Sequence, residues 1–134
     1  LCQLLKMATW NCGRLSFTQS HLCQELEYDI LALTETHDKG DLKSNRNYIT
    51  SEHAPAEDAF SGVALQLSDR LAKCVTQSGH CGSRIVYARI RSSPCNIFAI
   101  GIYMPQSKRK ANHIMRTFSN SSRFCCHTLI SMTV

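Results

Sequence analysis

The chain has 134 residues, of which 43% are hydrophobic and 19% charged, with a formal net charge of +5. That length supports one modest hydrophobic core and excludes two. Leu1 to Met7 is too short and too weakly apolar for a signal h-region or a membrane span, so no membrane role is expected; a start without Met reads as an internal fragment of something longer.

The charge is unevenly placed. All ten acids fall between Glu25 and Asp69, whereas ten of the fifteen Lys and Arg lie at Arg70 or later. Residues 1–69 therefore carry −5 (five cations, ten acids) and residues 70–134 carry +10. A segment with ten cations and no acid suits a polyanion such as nucleic acid, and equally suits a piece whose acidic counterpart lies elsewhere. The eight cysteines include no C-x-x-C pair, and Cys125-Cys126-His127 has no second ligand pair at finger-like spacing. Several sit in apolar runs, where Cys behaves as a small hydrophobe, so reduced thiols in an intracellular, cytosolic or nuclear, setting are expected.

In chain order, Leu4 to Trp10 reads as a first strand, and Asn11-Cys12-Gly13-Arg14 as the turn that ends it, because Asn and Gly tolerate left-handed conformations. Ser16 or Thr18 can cap a helix through Tyr28, with Leu22 and Leu26 on one face. Asp29 to Glu35 is then a short apolar run, a buried strand ending in a carboxylate. A glutamate in that position either points into water or holds a cation, since burying it alone would be costly. Strand, helix and strand make a β-α-β unit, whose right-handed crossover brings Asn11 and Glu35 to the same sheet edge.

From His37 to Ala59 the chain is polar and irregular apart from Tyr48-Ile49-Thr50, a surface excursion of the kind that supplies binding loops. Four strands are then predicted: Ser61 to Leu67, a weaker run over Ala72 to Thr76, Arg84 to Arg91, and Asn96 to Tyr103. Gaps carrying Gly79, Gly82 and Pro94 separate the last three, the pattern of an antiparallel meander. Alternation puts Arg84, Val86, Ala88 and Ile90 on one face of the third, and Ile85, Tyr87, Arg89 and Arg91 on the other. Such faces are expected to border solvent or a polyanion. Tyr103-Met104-Pro105 places another polar group at a strand end. Beyond Gln106 comes the basic run Lys108-Arg109-Lys110, then residues 111–134 with seven Ser or Thr, no acid, no Gly and no clear period.

Thr9-Trp10-Asn11, Leu33-Thr34-Glu35-Thr36 and Ile102-Tyr103-Met104-Pro105 follow three core strands in order, with Ser61-Gly62-Val63-Ala64-Leu65 and Ser83-Arg84-Ile85-Val86 between. Together they resemble the endonuclease/exonuclease/phosphatase, or DNase I-like, family, and most of all the endonuclease domains of non-LTR, LINE-type retrotransposons. The resemblance implies an α/β fold, mostly strands with a few helices: part of a four-layered sandwich in which two mixed sheets lie face to face. It divides the chain into residues 1–110, the N-terminal half of such a domain, and 111–134, a divergent tail. It implies metal-assisted cleavage of phosphodiesters with Mg²⁺ or Mn²⁺, and a nucleic-acid substrate, DNA before others. Glu35 takes the place of the metal-binding glutamate, Asn11 of the asparagine that orients metal or phosphate, and Tyr103 of the tyrosine that reaches the scissile phosphate.

A hard cation that keeps several waters needs only one or two carboxylates, which suits Glu35 as anchor. Arg84, Arg89, Arg91 and Lys108, Arg109, Lys110 are the candidate nucleic-acid contacts; no protein partner is indicated. The chain departs from the family pattern at Gly13, where many members have an acid. The Gly-Asp-x-Asn strand, the later aspartate and the closing Ser-Asp-His have no counterpart, because no Asp or Glu follows Asp69. Neither His113 nor His127 inherits the general-base role. The expectation is a site without useful nuclease activity as it stands, with a catalytically silent basic nucleic-acid-binding module as the alternative.

Overall fold

Short runs of Ile, Leu, Val and Ala broken by polar punctuation build strands, because each strand must bury one or both faces. A computed structural model describes residues 4–15, 25–37, 42, 45–52, 62–104, 116 and 129–133, the last five by their backbone. The strands are β1 (Met7–Asn11), β2 (Ile30–Thr34), β3 (Tyr48–Thr50), β4 (Val63–Leu67), β5 (Val75–Cys81), β6 (Ile85–Ile90), β7 (Ile97–Ile102) and β8 (Leu129–Thr133), with a short helix α1 (Asp69–Ala72) between β4 and β5. They form two four-stranded sheets, ordered β1-β2-β4-β3 and β5-β6-β7-β8.

Both sheets are mixed. β1 runs parallel to β2 and β8 parallel to β7, and the remaining pairs are antiparallel. Their inner faces meet: Ile30, Ala32, Val63, Leu65 and Leu67 pack against Val86, Ala88, Ile90, Ile97 and Ala99. This is the expected pair of face-to-face sheets. The outer face of the first sheet has its own cluster around Leu31, Leu33, Tyr48 and Ala64, and that of the second around Ile85, Phe98, Ile100 and Ile102. Sheets buried on both sides explain why β2, β7 and, apart from Gln66, β4 read as mostly apolar runs rather than alternating ones.

At Gly101 the second sheet packs tightly against the first. A Cβ there would stand 3.0 Å from Val63 Cγ1 and 3.2 Å from Val86 Cγ2. Gly101→Ala is therefore expected to overpack the interface and cost about 1–3 kcal/mol, read as a lower urea midpoint with an unchanged slope.

Several sequence expectations shift. Ala72 lies in α1, not in a strand, because Ser68-Asp69 begins a helical turn whose Leu71 is buried. β5 starts at Val75 and runs through Gly79, which sequence placed in a gap. Gly79 pairs with Tyr87, and the absence of a side chain makes room for the tyrosine ring, since a Cβ would stand 2.8 Å from Tyr87 Cζ. The two faces of β6 differ: Arg84, Val86, Ala88 and Ile90 are buried between the sheets, whereas on the outer face Ile85 is buried, Tyr87 and Arg89 are half-buried and Arg91 is exposed. The tail contributes β8, paired in parallel along β7. Of the helix expected from Ser16 or Thr18 through Tyr28, residues 16–24 lie outside the described residues, Glu25 is helical and Leu26 to Tyr28 are not; most of the 37–59 excursion and Lys108 to Lys110 also lie outside them.

Where β2 begins, Asp29 ties three segments together. Its carboxylate accepts from Arg70 Nε at 2.7 Å and approaches an Arg70 terminal nitrogen at 2.6 Å; it also accepts from the Lys6 backbone N–H at 3.0 Å and Ser68 Oγ at 3.2 Å. The far end of the same strand holds the candidate site.

Candidate active site

Parallel pairing puts Asn11 opposite Thr34, so β1 and β2 end at one edge. Glu35, the next residue, has φ +54°, and His37 has φ +48°. Left-handed backbone at a non-glycine residue costs on the order of 1–3 kcal/mol and persists only when neighbours over-determine it. Here the Cys12 backbone N–H and thiol both donate to the Thr34 carbonyl at 3.1 Å, and the Leu15 N–H donates to the Thr36 carbonyl at 2.9 Å. On the other side the Thr36 N–H donates to Gly62 O at 3.1 Å, and the Gly62 N–H to Ser83 O at 3.0 Å. Backbone from β1, β4 and the β5–β6 turn thus holds the Glu35 segment.

That conformation aims Glu35 at the second sheet. The Tyr103 hydroxyl, just beyond β7, donates to Glu35 Oε1 at 2.9 Å, joining residues 68 positions apart. Tyr103 is itself fixed twice by Arg84: its N–H donates to the Arg84 carbonyl at 2.9 Å, and the guanidinium carbon lies 5.2 Å from its ring centroid. Arg84 is only 9% exposed, so this cation–π contact is largely desolvated, where such contacts strengthen toward about 2 kcal/mol.

Asn11 is exposed, and its side-chain oxygen accepts from the Gly13 N–H at 3.1 Å, the Asx turn expected of Asn before a left-handed glycine. It shares the edge with Glu35. The basic candidates separate. Arg84 stands at the Glu35 end of β6; Arg89 and Arg91 stand at the other end, roughly 16–23 Å along the strand. Arg89 lies over Phe98 on the outer face, 5.5 Å from the ring centroid, and Arg91 is exposed.

Sequence reasoning missed Cys12 and Gly62 as supports of the Glu35 turn, and cast Arg84 as a surface contact rather than a partner of Tyr103. Gly62 stood within the Ser61 to Leu65 run, but nothing there pointed to its contact with Thr36. Nothing in the sequence marked Cys12.

Chemically, the site offers hard oxygen donors, a carboxylate and a carboxamide, beside a phenol and a guanidinium. That donor set fits a hard divalent cation and a phosphate. Among the described residues no three His, Cys, Asp or Glu side chains converge on a common point, so a cation held here would draw most of its ligands from water and substrate.

No protein-family model and no curated protein matches the chain. Its fold does match solved structures. The endonuclease domain of TRAS1, a telomere-specific non-LTR retrotransposon, has a TM-score of 0.65 at 14% identity, covering 97% of this chain and 58% of that one. D. rerio TDP2 humanized by 14 mutations has a TM-score of 0.58 at 14% identity, covering 96% and 60%. An endonuclease/exonuclease/phosphatase family protein from Leptotrichia buccalis C-1013-b has a TM-score of 0.54 at 16% identity, covering 97% and 66%. The chain thus spans about three-fifths of the first two, and the likeness runs past Lys110 through nearly all of it. Two mixed sheets face to face, closed at one edge by a glutamate–tyrosine bond, give this chain the DNase I-like fold of the endonuclease/exonuclease/phosphatase proteins.

Proposed function

We propose that the chain carries the metal- and phosphate-facing part of a divalent-cation-dependent phosphodiesterase of the retrotransposon endonuclease kind, directed at DNA. Glu35 is the carboxylate ligand of Mg²⁺ or Mn²⁺, Asn11 orients the metal or the phosphate, and Tyr103 hydrogen-bonds a phosphate oxygen. The observation that carries this reading is the 2.9 Å bond between Tyr103 and Glu35, which sets a phenol hydroxyl against a carboxylate across the two sheets. A bound cation would supply charge stabilisation to phosphate and leaving oxygen. Arg84 keeps the phenol in place. With no acid after Asp69, no carboxylate from the later half of the chain can activate water, and loss of general-base assistance alone is worth typically 10²–10⁴-fold in rate. Binding is therefore expected to survive where turnover does not.

The test is Mn²⁺ titration followed by electron paramagnetic resonance. Glu35→Gln is expected to weaken binding about tenfold or more, equivalent to about 1.4 kcal/mol; equal affinity in the variant would overturn the assignment. A second reading, a silent basic module that only holds nucleic acid, is favoured by the ten acid-free cations from Arg70 onward. It predicts DNA affinity that falls steeply with salt and ignores Glu35→Gln.

A further inference from the structure

At the end of the first sheet opposite Glu35, beside the start of β2, the outer face opens into a cavity of about 510 Å³ lined in part by Tyr28, Asn45, Asn47 and Gln66. Gln66 is the residue out of pattern. It lies on β4 between Leu31 of β2 and Tyr48 of β3, both members of the apolar outer cluster, and is only 6% exposed. A leucine would complete that cluster. No described group hydrogen-bonds the Gln66 carboxamide, and its nitrogen and oxygen are not sealed from solvent as the Thr34 hydroxyl is. The cavity is the space from which its donor and acceptor can be met.

The surroundings define what would meet them. Asn45 spends its side-chain oxygen on the Asn47 N–H at 3.0 Å, which leaves its NH₂ as a donor; Asn47 spends its NH₂ on Asp69 at 2.7 Å, which leaves its oxygen as an acceptor. Tyr28 stands at the rim, 38% exposed. Three acids line the cavity: Asp29 is matched by Arg70 and Glu27 by Lys6, while Asp69 accepts from Asn47 and is balanced in charge by Arg46, which also lines the cavity, so the cavity favours neither a polyanion nor a cation. Three carboxamides offering donors and acceptors beside an exposed aromatic ring fit a flat, neutral heterocycle with a mixed hydrogen-bonding edge. A glutamine carboxamide pairs in bidentate fashion with the donor and acceptor of adenine, and unpaired bases stack on tyrosine.

We propose that this cavity binds an unpaired purine base, adenine before guanine, with Gln66 reading its edge and Tyr28 stacking on its face. The site lies about five residues, roughly 15 Å, from Glu35 along β2 and is independent of the metal reading. Calorimetry of the full chain with adenosine, with oligo(dA) and with an abasic strand of equal length tests it. Saturable adenosine binding is expected, weakened about tenfold by Gln66→Leu, in line with the worth of one bidentate pair, and by a similar factor in the surface variant Tyr28→Ala. Glu35→Gln should leave it unchanged, which separates failure here from failure at the metal. Adenosine binding matched by oligo(dA) marks a nucleoside site; oligo(dA) binding well above adenosine, and above the abasic strand, marks a strand site. Either supports the proposal. Absence of saturable binding by adenosine and by oligo(dA), no preference over the abasic strand, or affinities unmoved by both Gln66→Leu and Tyr28→Ala would overturn it.

Discussion

Gly62→Ala is expected to lower the melting temperature by about 10 °C, the shift that a loss near 3 kcal/mol produces in a domain of this size. Gly62 has φ +126°, a conformation closed to alanine without strain, and an added Cβ would stand 2.8 Å from Thr36 Oγ1 and 3.2 Å from the His37 nitrogen. The backbone penalty is on the order of 1–3 kcal/mol, and the contact adds to it because one of the atoms met is main chain. The displaced atoms belong to the segment that presents Glu35. Scanning calorimetry gives the stability loss; Mn²⁺ titration of the variant well below its melting point should show weakened binding as well, since Glu35 can no longer be held against Tyr103. A variant as stable as the parent would mean that the turn tolerates far more movement than its hydrogen bonds allow.

Asp29→Asn is expected to cost about 2 kcal/mol at neutral pH, the scale of hydrogen bonds to a charged group that is mostly out of water. The Arg70 guanidinium holds the Asp29 carboxyl below its ordinary value, helped by the Lys6 N–H and Ser68 hydroxyl and opposed by burial. A carboxylate with a depressed folded pKa adds stability that is fully present above the unfolded value of about 3.9 and is lost as pH falls through the folded value. Urea unfolding at pH 7 and at pH 2.5 should therefore show the gap between parent and variant narrowing in acid. A gap independent of pH would mean that the charge contributes nothing and that only shape matters.

Much of this was legible in the residues, for physical reasons that differ by element. Ile30 to Leu33 and Ile97 to Ile102 are apolar throughout because both faces are covered, so composition alone marks them. The meeting of Asn11 and Glu35 at one edge followed from a β-α-β connection, and the parallel register of β1 and β2 bears out that pairing. Gly79 misled because glycine usually interrupts strands; only the tyrosine across from it makes the position favourable. Arg84 misled because alternation says which face a side chain takes, not that the sandwich ends there and an aromatic ring waits beyond. β8 was hidden in a serine-rich tail since five residues become a strand only when β7 offers an edge. Cys12 and Gly62 act through backbone groups of distant segments, and no local pattern encodes that.

The bond between Glu35 and Tyr103 also bears on how the molecule forms. It closes a span of 68 residues and links the two sheets, so it can exist only after each sheet has assembled and the pair has docked. Contacts of such sequence separation are slow to form, because loop-closure entropy is lost before they repay it. The candidate site is therefore a late product of folding, and whatever binds there favours the docked sandwich over its separated halves by mass action. A cation at this edge would act as a clasp on the fold as well as a reagent.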